Sequence, residues 1–566
     1  MLNRRRFFSQ AGLAAAAASV GAPHIALSAA SLNGRGGQRP SRIIHIVSDG
    51  MSSGTLAVSD HYSRLVRKRP LTWIKLLNEP GVVMGYMNMR SLNSLVTDSA
   101  AASSSWGSGV RVMNGVLNVL PNGKRLTPLY TVFGEIGWTR ALVTTTEITH
   151  ATPAGFAANV RSRENPQLIA AQYLERRIDI LLGGGRQFFD EKKRLDKRDL
   201  KAAFRQAGYS VVEKRKALME APKSGRLLGI FSDSHLPYTV DHQRDAKLRE
   251  EVPTLAEMTA AALERLASAR NFILQIEGGR VDHAAHSSCA AGAILDQVAL
   301  DEAIDLVVAF VKEHPDTLVV ITTDHGNSNP GLSGMGGSYS RSPMRLANIQ
   351  KIKGSIGTIL GEIKKKGTKI EVKPTSVSER DEPLPYKMPT VLYRYDDEEV
   401  QRKLQEADDK AKREEEKKKG TQRKVEYGYW VEARRIAEVI EEWTGYKVPM
   451  ERAKWFQKYL LRQGDALFDQ LNNDTAQLGQ LLANYTGVNW IGNSHTSDYS
   501  PVVAFGPGAE RFRGLIQNTD VYGHYLDLVG VNFRNPSVPE FADADIVPPT
   551  TEDIVAYGQP WTEEMA

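Results

Sequence analysis

The sequence predicts an α/β fold: a doubly wound, mostly parallel sheet flanked by helices, interrupted by a mainly helical insertion. Three observations predict it. Short apolar runs of strand length recur between helical patterns, the alternation that builds parallel sheets covered on both faces. Several of those runs finish in a carboxylate or a glycine turn, and ligands bind at the carboxyl ends of such strands. At 566 residues, 41% hydrophobic and 24% charged, the chain is also long enough for a large core and more than one structural unit.

The elements follow in order. "RIIHIVSDG" reads as a buried strand ending at Asp49. "LVTDSAAASSSWGSG" sets Asp98 and Ser99 before small, helix-compatible residues. A serine opening a helix has backbone N–H groups aimed at an incoming anion; the plainer alternative is that Asp98 or Ser99 is only a cap. "TRALVTTTEITHATP" leads to Glu147, His150 and Thr152, and "ANVRSR" supplies Arg161 and Arg163, whose guanidinium forks suit a tetrahedral oxyanion. "IDILLGGG" ends in a glycine turn, and "NFILQIEGG" ends at Glu277.

"EGGRVDHAAH" then places Asp282 and His286 four apart, on one face of a helix, where they can bind one ion. "TLVVITTDHG" finishes at Asp324 and His325, and "GNSHTSDY" brings His495 from far downstream. Any one of these acids could be a cap or a turn residue. Several buried strands ending this way together call for a shared ligand. The set is rich in oxygen, with three histidines and no cysteine: nitrogen and carboxylate donors suit zinc, while carboxylates with a hydroxyl suit magnesium. No Gly-x-Ser-x-Gly surrounds Ser99 and no Ser–His–Asp arrangement is evident, so a metal ion would have to do the work of the missing base.

Composition narrows the class. The formal charge is +6, and Arg4, Arg5 and Arg6 supply three of those charges. With no aromatic-interleaved basic stripe, no nucleic-acid binding is expected. Residues 1–30 carry arginines, then a short Ala-rich stretch, then small residues, and "RRRFF" has the look of a twin-arginine export signal cut near Ser28 to Ala30. Pro23 and His24 break the apolar stretch, so no transmembrane span is expected after cleavage, and the location is exported, periplasmic or extracellular. Cys289 is the single cysteine, which excludes an intrachain disulfide; it reads as a small buried residue rather than a ligand.

Jointly, "IVSDG", "TDSAAA", "THATPAGFAANVRSR", "LLGGG", "IEGGRVDHAAH", "TTDHG" and "GNSHTSDY" resemble the alkaline phosphatases, in family order, over most of residues 42–340 and roughly 485–530. The resemblance implies a phosphomonoesterase acting on small phosphate monoesters through a phosphoserine, with two Zn2+ and one Mg2+. Ser99 looks like the nucleophile, Arg163 like the phosphate clamp, and Asp98 like the residue orienting it. Asp282, His286 and His495 look like ligands of one zinc, and Asp49, Asp324 and His325 like ligands of the second. Asp49 would also reach the third metal, with Thr152 and Glu277. Some members have Asp and Lys where this chain has His150 and His283, expected beside the substrate. A histidine at 150 suits Zn2+ or Co2+ at the third site better than magnesium. Ser103 and Ser104 also depart from the usual pattern.

Residues 341–484 leave the sheet-and-helix pattern and separate a first core segment, 41–340, from a second with the C-terminal tail, 485–566. "ANIQKIKGSIGTILGEIKKKG" reads as a helix stopped by Gly367, and residues 395–424 are charged almost throughout, as in a solvated helix or tether. Two further stretches are amphipathic and able to pack on the core. In position this resembles the crown insertion of larger members, and a homodimer would be in keeping with it. Rival readings are a phosphodiesterase or phosphonate hydrolase on the same scaffold, or a non-catalytic surface scaffold. A sulfatase lacks support, since its Cys/Ser-x-Pro-x-Arg motif is absent.

Overall fold

The computed structural model describes residues 39–121, 123–334, 336–372, 426–464 and 466–536. The N-terminal stretch read as an export signal and the charged stretch 395–424 lie outside the described residues. Ten strands form one sheet. In chain order they are β1 (Arg42–Val47), β2 (Val83–Asn88), β3 (Thr139–Glu147), β4 (Ile180–Gly184), β5 (Tyr209–Val212), β6 (Arg226–Ile230), β7 (Phe272–Glu277), β8 (Thr317–Thr322), β9 (Ser500–Phe505) and β10 (Gly514–Gln517). Across the sheet they run β10-β2-β9-β8-β1-β7-β3-β4-β6-β5, and β9 alone is antiparallel to its neighbours. The mostly parallel α/β sheet expected from the apolar runs is what forms.

The continuous apolar character of the central strands has a direct cause. In β1, Ile43 and Val47 belong to the core on one face, while Ile44 and Ile46 belong to the core on the other. Both faces are covered, so apolar residues fill both, and each such side chain contributes about 1.5–3 kcal/mol by leaving water; the buried exception in β1, His45, meets Tyr525 Oη through Nδ1 at 2.7 Å.

Two helices beside the strand ends carry much of the chemistry. In α1 (Ser99–Ser108) every residue is buried, and its small side chains let it lie close to α2 (Ala151–Gly155). A Cβ on Gly107 would come within 2.0 Å of the Gly155 carbonyl oxygen, so only glycine fits there. A third, α3 (Arg280–His286), follows β7 directly, and α4 (Ala290–Glu313) runs on from it.

The described part of the insertion shares a core with the main body. It contains α5 (Ile356–Lys365), α6 (Ala433–Thr444), α7 (Met450–Leu460) and α8 (Asp474–Thr486). Ile359, Ile363, Ile436, Ile440, Phe456 and Leu478 join Ile294 and Val298 of α4 in one apolar cluster. The amphipathic stretches therefore pack as their periodicity implies. One reading needs correction: "ANIQKIKGSIGTILGEIKKKG" is not one helix. A 3-10 turn over Asn348–Lys351 ends, and Ser355 begins α5 afresh, its side chain accepting the Thr358 N–H at 3.3 Å.

Candidate active site

The sheet's register assembles the site. β1 lies between β7 and β8, with Val47 opposite both Glu277 and Thr322, so the three strands end level. Two residues past Val47 comes Asp49, two past Thr322 comes Asp324, and Glu277 is itself the last residue of β7. Gly50 turns the chain at φ +65°, and its N–H donates to Asp324 Oδ1 at 3.0 Å. A Cβ there would strike Asp282. His495 arrives by a two-residue antiparallel ladder in which His495–Thr496 pairs with Gly326–Asn327. That ladder delivers it beside His325, ring centroids 3.7 Å apart.

Three groups of ligand-type atoms result, each with its atoms within 4.8 Å of one another. In the first, Asp282 Oδ2 is 3.3 Å from His286 Nε2, and Asp282 Oδ1 is 3.7 Å from His495 Nε2. The second joins Asp49, Asp324 and His325, with His325 Nε2 at 3.6 Å from Asp49 and 3.3 Å from Asp324. In the third, His150 Nδ1 is 3.9 Å from Asp49 and 3.8 Å from Glu277. Thr152 Oγ1 reaches Asp49 Oδ2 at 3.4 Å. His150, expected beside the substrate, thus stands among the third group as well.

Proton positions test whether these groups fit metal ions. His286, His495 and His325 each direct Nδ1 to a backbone carbonyl, of Asn493 at 2.7 Å, Thr97 at 2.8 Å and Gly326 at 3.2 Å. A carbonyl only accepts, so Nδ1 carries a proton in all three rings, and Nε2, which faces the carboxylates, is the nitrogen left to bind a cation once it gives up any proton of its own. Asp49 Oδ1, Asp324 Oδ2 and Glu277 Oε1 are buried without a hydrogen-bond partner. The donor set fits divalent cations: nitrogen with carboxylate in the first two groups, mostly oxygen in the third.

Electrostatics agree. Burial, then the neighbouring Asp324, Asp282 and Glu277 charges, push the Asp49 carboxyl well above its usual range. Burial likewise lifts Asp324 to about 7. Burial opposes ionisation of Asp282, but His286 and His495 outweigh it and hold that carboxyl well below its usual value. For His286, burial is outweighed by the Asp282 charge, which raises the ring to about 9, so a cation bound at Nε2 has a proton to displace there. Buried carboxylates this close repel one another, and a cation between them removes the cost.

Ser99 is the first residue of α1, and its Oγ lies 3.1 Å from His325 Nε2. Asp98 is the cap of that helix, as the plainer reading had it, and it does more. Its Oδ1 accepts the Ala101 N–H at 2.9 Å, while Oδ2 accepts Arg163 Nη1 at 3.1 Å. Arg163 Nη2 meets His150 Nε2 at 2.9 Å. Arg161 is not brought to this cluster; its guanidinium packs against the Gly123 turn. Cys289 is buried, its Sγ accepting the Gly292 and Ile356 N–H groups, and burial pushes its thiol up to about 12.

Several participants had no signal in the sequence. His235 accepts the Glu147 N–H through Nδ1 at 3.1 Å and packs 4.4 Å from the His283 ring. Thr144 and Thr146 hold Glu277 Oε2 at 2.5 and 3.2 Å. Asn327 donates to Asp282 Oδ1 at 2.6 Å. Threonines in a β-branched strand and a polar turn residue are too common to single out.

Known proteins share this arrangement of elements. A family model described as alkaline phosphatase matches residues 41–439. Alkaline phosphatase 4 of Bacillus subtilis (strain 168) is 28% identical over 452 residues, covering 78% of this chain and 78% of its own. Alkaline phosphatase 3 of the same organism is 35% identical over 261 residues, 44% of this chain and 54% of its own length. The crystal structure of Thermus thermophilus alkaline phosphatase superposes with a TM-score of 0.73 at 27% identity, covering 94% of this chain and 97% of that one. Among the described residues, no helix is long and apolar enough to cross a membrane.

Proposed function

The chain belongs to the alkaline phosphatase family, and from that premise we propose that it hydrolyses phosphate monoesters by two successive displacements, with Ser99 phosphorylated between them. The observation that carries this is Ser99 Oγ at the head of a buried helix, beside the second ligand group and next to Arg163's partner Asp98.

Asp282, His286 and His495 would hold one zinc ion, and Asp49, Asp324 and His325 another. Asp49, Thr152 and Glu277 would hold magnesium or a softer ion, with His150 beside them. Bound there, the ions supply Lewis-acid stabilisation of the attacking and leaving oxygens and lower the pKa of a water from about 15.7 toward roughly 7.

The protein's own groups do the rest. Asp98 and the α1 backbone occupy the Ala101 and Ala102 amides, which leaves the Ser99 and Ala100 N–H groups for a phosphoryl oxygen. Arg163, steadied by Asp98, offers a fork to two of the three non-bridging oxygens of a monoester; a diester has only two in all, so it cannot fill the fork and also place a free oxygen on the α1 amides. Because Asp98 and His150 hold the guanidinium from two sides, little of its freedom is left to lose on binding. His325 and Asp324 are fully buried, so bulk water reaches the Ser99 side of the site poorly.

Ser99→Ala tests the reading. The variant should keep its metal content and lose covalent labelling by radioactive phosphate at acidic pH; label that persists would refute the nucleophile. Wild-type enzyme should hydrolyse a nitrophenyl monoester far faster than the matching diester, and the opposite preference would return the diester rival. Export belongs to the same reading, supported by "RRRFF". Changing Arg4 and Arg5 to lysine should trap the protein inside the cell.

A further inference from the structure

We infer that Arg280 is a positioning residue, fixing the ring of His283 as the Nε2–H tautomer so that an uncharged histidine becomes a hydrogen-bond donor to the phosphoryl group. The inference deepens the phosphomonoesterase reading and rests on it. Arg280 Nη1 lies 2.6 Å from His283 Nδ1. A guanidinium only donates and is always charged, so Nδ1 must accept, and the single proton of a neutral imidazole then sits on Nε2.

The guanidinium is itself braced. Its Cζ lies 3.7 Å from the Tyr238 ring centroid, a cation–π distance. The Arg280 backbone N–H donates to Thr145 Oγ1 at 3.2 Å, which pins the start of α3 to β3. His283 is hemmed by other rings, His235 at 4.4 Å and His150 at 5.5 Å between centroids. His235 cannot replace Arg280 as the donor to Nδ1 through its own Nδ1, since that nitrogen accepts the Glu147 N–H.

The neutral state follows from the same neighbours. A protonated ring would turn an N–H toward Arg280, with two donors facing and two like charges in contact. The opposite neutral tautomer would lose the Arg280 bond and turn a lone pair toward an anionic substrate. One arrangement satisfies both sides. His283 is partly exposed, and its ring lies 5.5 Å from that of His150, which accepts the Arg163 Nη2–H, so the ring borders the place where phosphate would bind. The protein thereby contributes a hydrogen bond at this position without a second full cation beside Arg163.

The test uses the full-length, metal-loaded protein with its histidines labelled with nitrogen-15, and His283 assigned by difference from His283→Gln. The wild type should show His283 neutral with the proton on Nε2. Arg280→Met, which keeps the stem and removes the donors, should mix the tautomers at unchanged metal content. Its dissociation constant for inorganic phosphate, measured by calorimetry, should rise about fivefold, the effect of one net hydrogen bond. Arg280→Lys retains one donor and should recover part of that loss. An Nδ1–H or imidazolium form in the wild type overturns the inference, and that spectrum needs no variant to fold. Unchanged tautomer or phosphate affinity in Arg280→Met overturns it as well. Wild-type protein inactive on every monoester would refute the proposed function whatever the tautomer; an Nδ1–H ring in an active enzyme would refute only the role of Arg280.

Discussion

Asp98 and Arg163 are joined through the carboxylate oxygen that the helix cap leaves over: Oδ1 accepts the Ala101 N–H at 2.9 Å, and Oδ2 accepts Arg163 Nη1 at 3.1 Å. One side chain therefore sets both where α1 begins and where the guanidinium proposed to clamp phosphate stands. The two jobs can be separated. Asp98→Asn keeps a good cap but loses the charge, and should raise KM for a nitrophenyl monoester roughly tenfold at nearly unchanged stability, given about 1.5–3 kcal/mol for a charge-assisted bond. Asp98→Ala loses both and should unfold at lower temperature as well, by about 1 kcal/mol of cap stability. Steady-state kinetics with a thermal melt would separate them; equal melting points for the two variants would show that the cap contributes nothing.

In the first ligand group, His286 and Asp282 face each other across one turn of α3, and His495 completes the set from the ladder. His286→Ala removes the one ligand-type nitrogen that α3 contributes to this group. We expect one zinc per chain to be lost and turnover to fall by several orders of magnitude, since two remaining ligands do not close a four-coordinate site. Metal analysis by mass spectrometry after dialysis is the measurement. Full occupancy would mean that the ligands were wrongly grouped.

Much of this site could be read from the chain because its parts sit on local patterns. Asp49, Glu277 and Asp324 end apolar strands, and parallel register brings such ends level without further information. Asp282 and His286 share a helix face by spacing alone. What was not legible depends on contacts between distant segments. Residue type and spacing alone neither announce the short ladder that carries His495 to His325 nor separate Arg163 from Arg161; only the family resemblance picks these two out before the chain turns Arg163 toward Asp98. His235 stands in an irregular segment with no periodicity, so its place against His283 follows only from the packing of β6 and β7 with the loops that leave them. The single helix read over "ANIQKIKGSIGTILGEIKKKG" failed for a local reason, the Gly354–Ser355 break.

A buried acid away from the metal groups makes stability depend on pH. Asp296 of α4 accepts the Thr239 N–H at 3.1 Å and the Thr239 Oγ1 hydroxyl at 3.0 Å. Burial nevertheless pushes its carboxyl up to about 7. A raised carboxyl binds its proton more tightly folded than unfolded. Its stabilisation is therefore complete below the unfolded value of about 3.9 and is lost as pH rises through about 7. Asp296→Asn removes that titration at the cost of one accepted hydrogen bond. The melting temperature of the variant minus that of the wild type should accordingly climb between about pH 4 and pH 7 and then level off. A difference that stays flat over that range would show Asp296 to be ionised throughout.

The third ligand group is where this chain should differ from members with aspartate and lysine at the two histidine positions. His150 Nδ1 stands 3.9 Å from Asp49 and 3.8 Å from Glu277, but while Nε2 accepts the Arg163 Nη2–H the proton of the neutral ring sits on Nδ1, so this nitrogen reaches an ion only where that bond is given up. Imidazole nitrogen favours zinc or cobalt, whereas magnesium prefers oxygen and keeps several waters. Magnesium should then bind weakly, and adding it should raise activity. An aspartate at 150 supplies oxygen and negative charge while still accepting the Arg163 Nη2–H, which His150 now takes at 2.9 Å. A lysine at 283 replaces a neutral ring with a cation, next to Arg280, and phosphate gains a charge to bind. The paired change His150→Asp with His283→Lys should therefore lower both the magnesium concentration for half-activation and the inhibition constant of phosphate. His150→Asp alone should move chiefly the first, because the charge facing phosphate is unaltered at 283. Shifts smaller than about twofold in both constants, roughly 0.4 kcal/mol, would mean that these histidines do not tune the site.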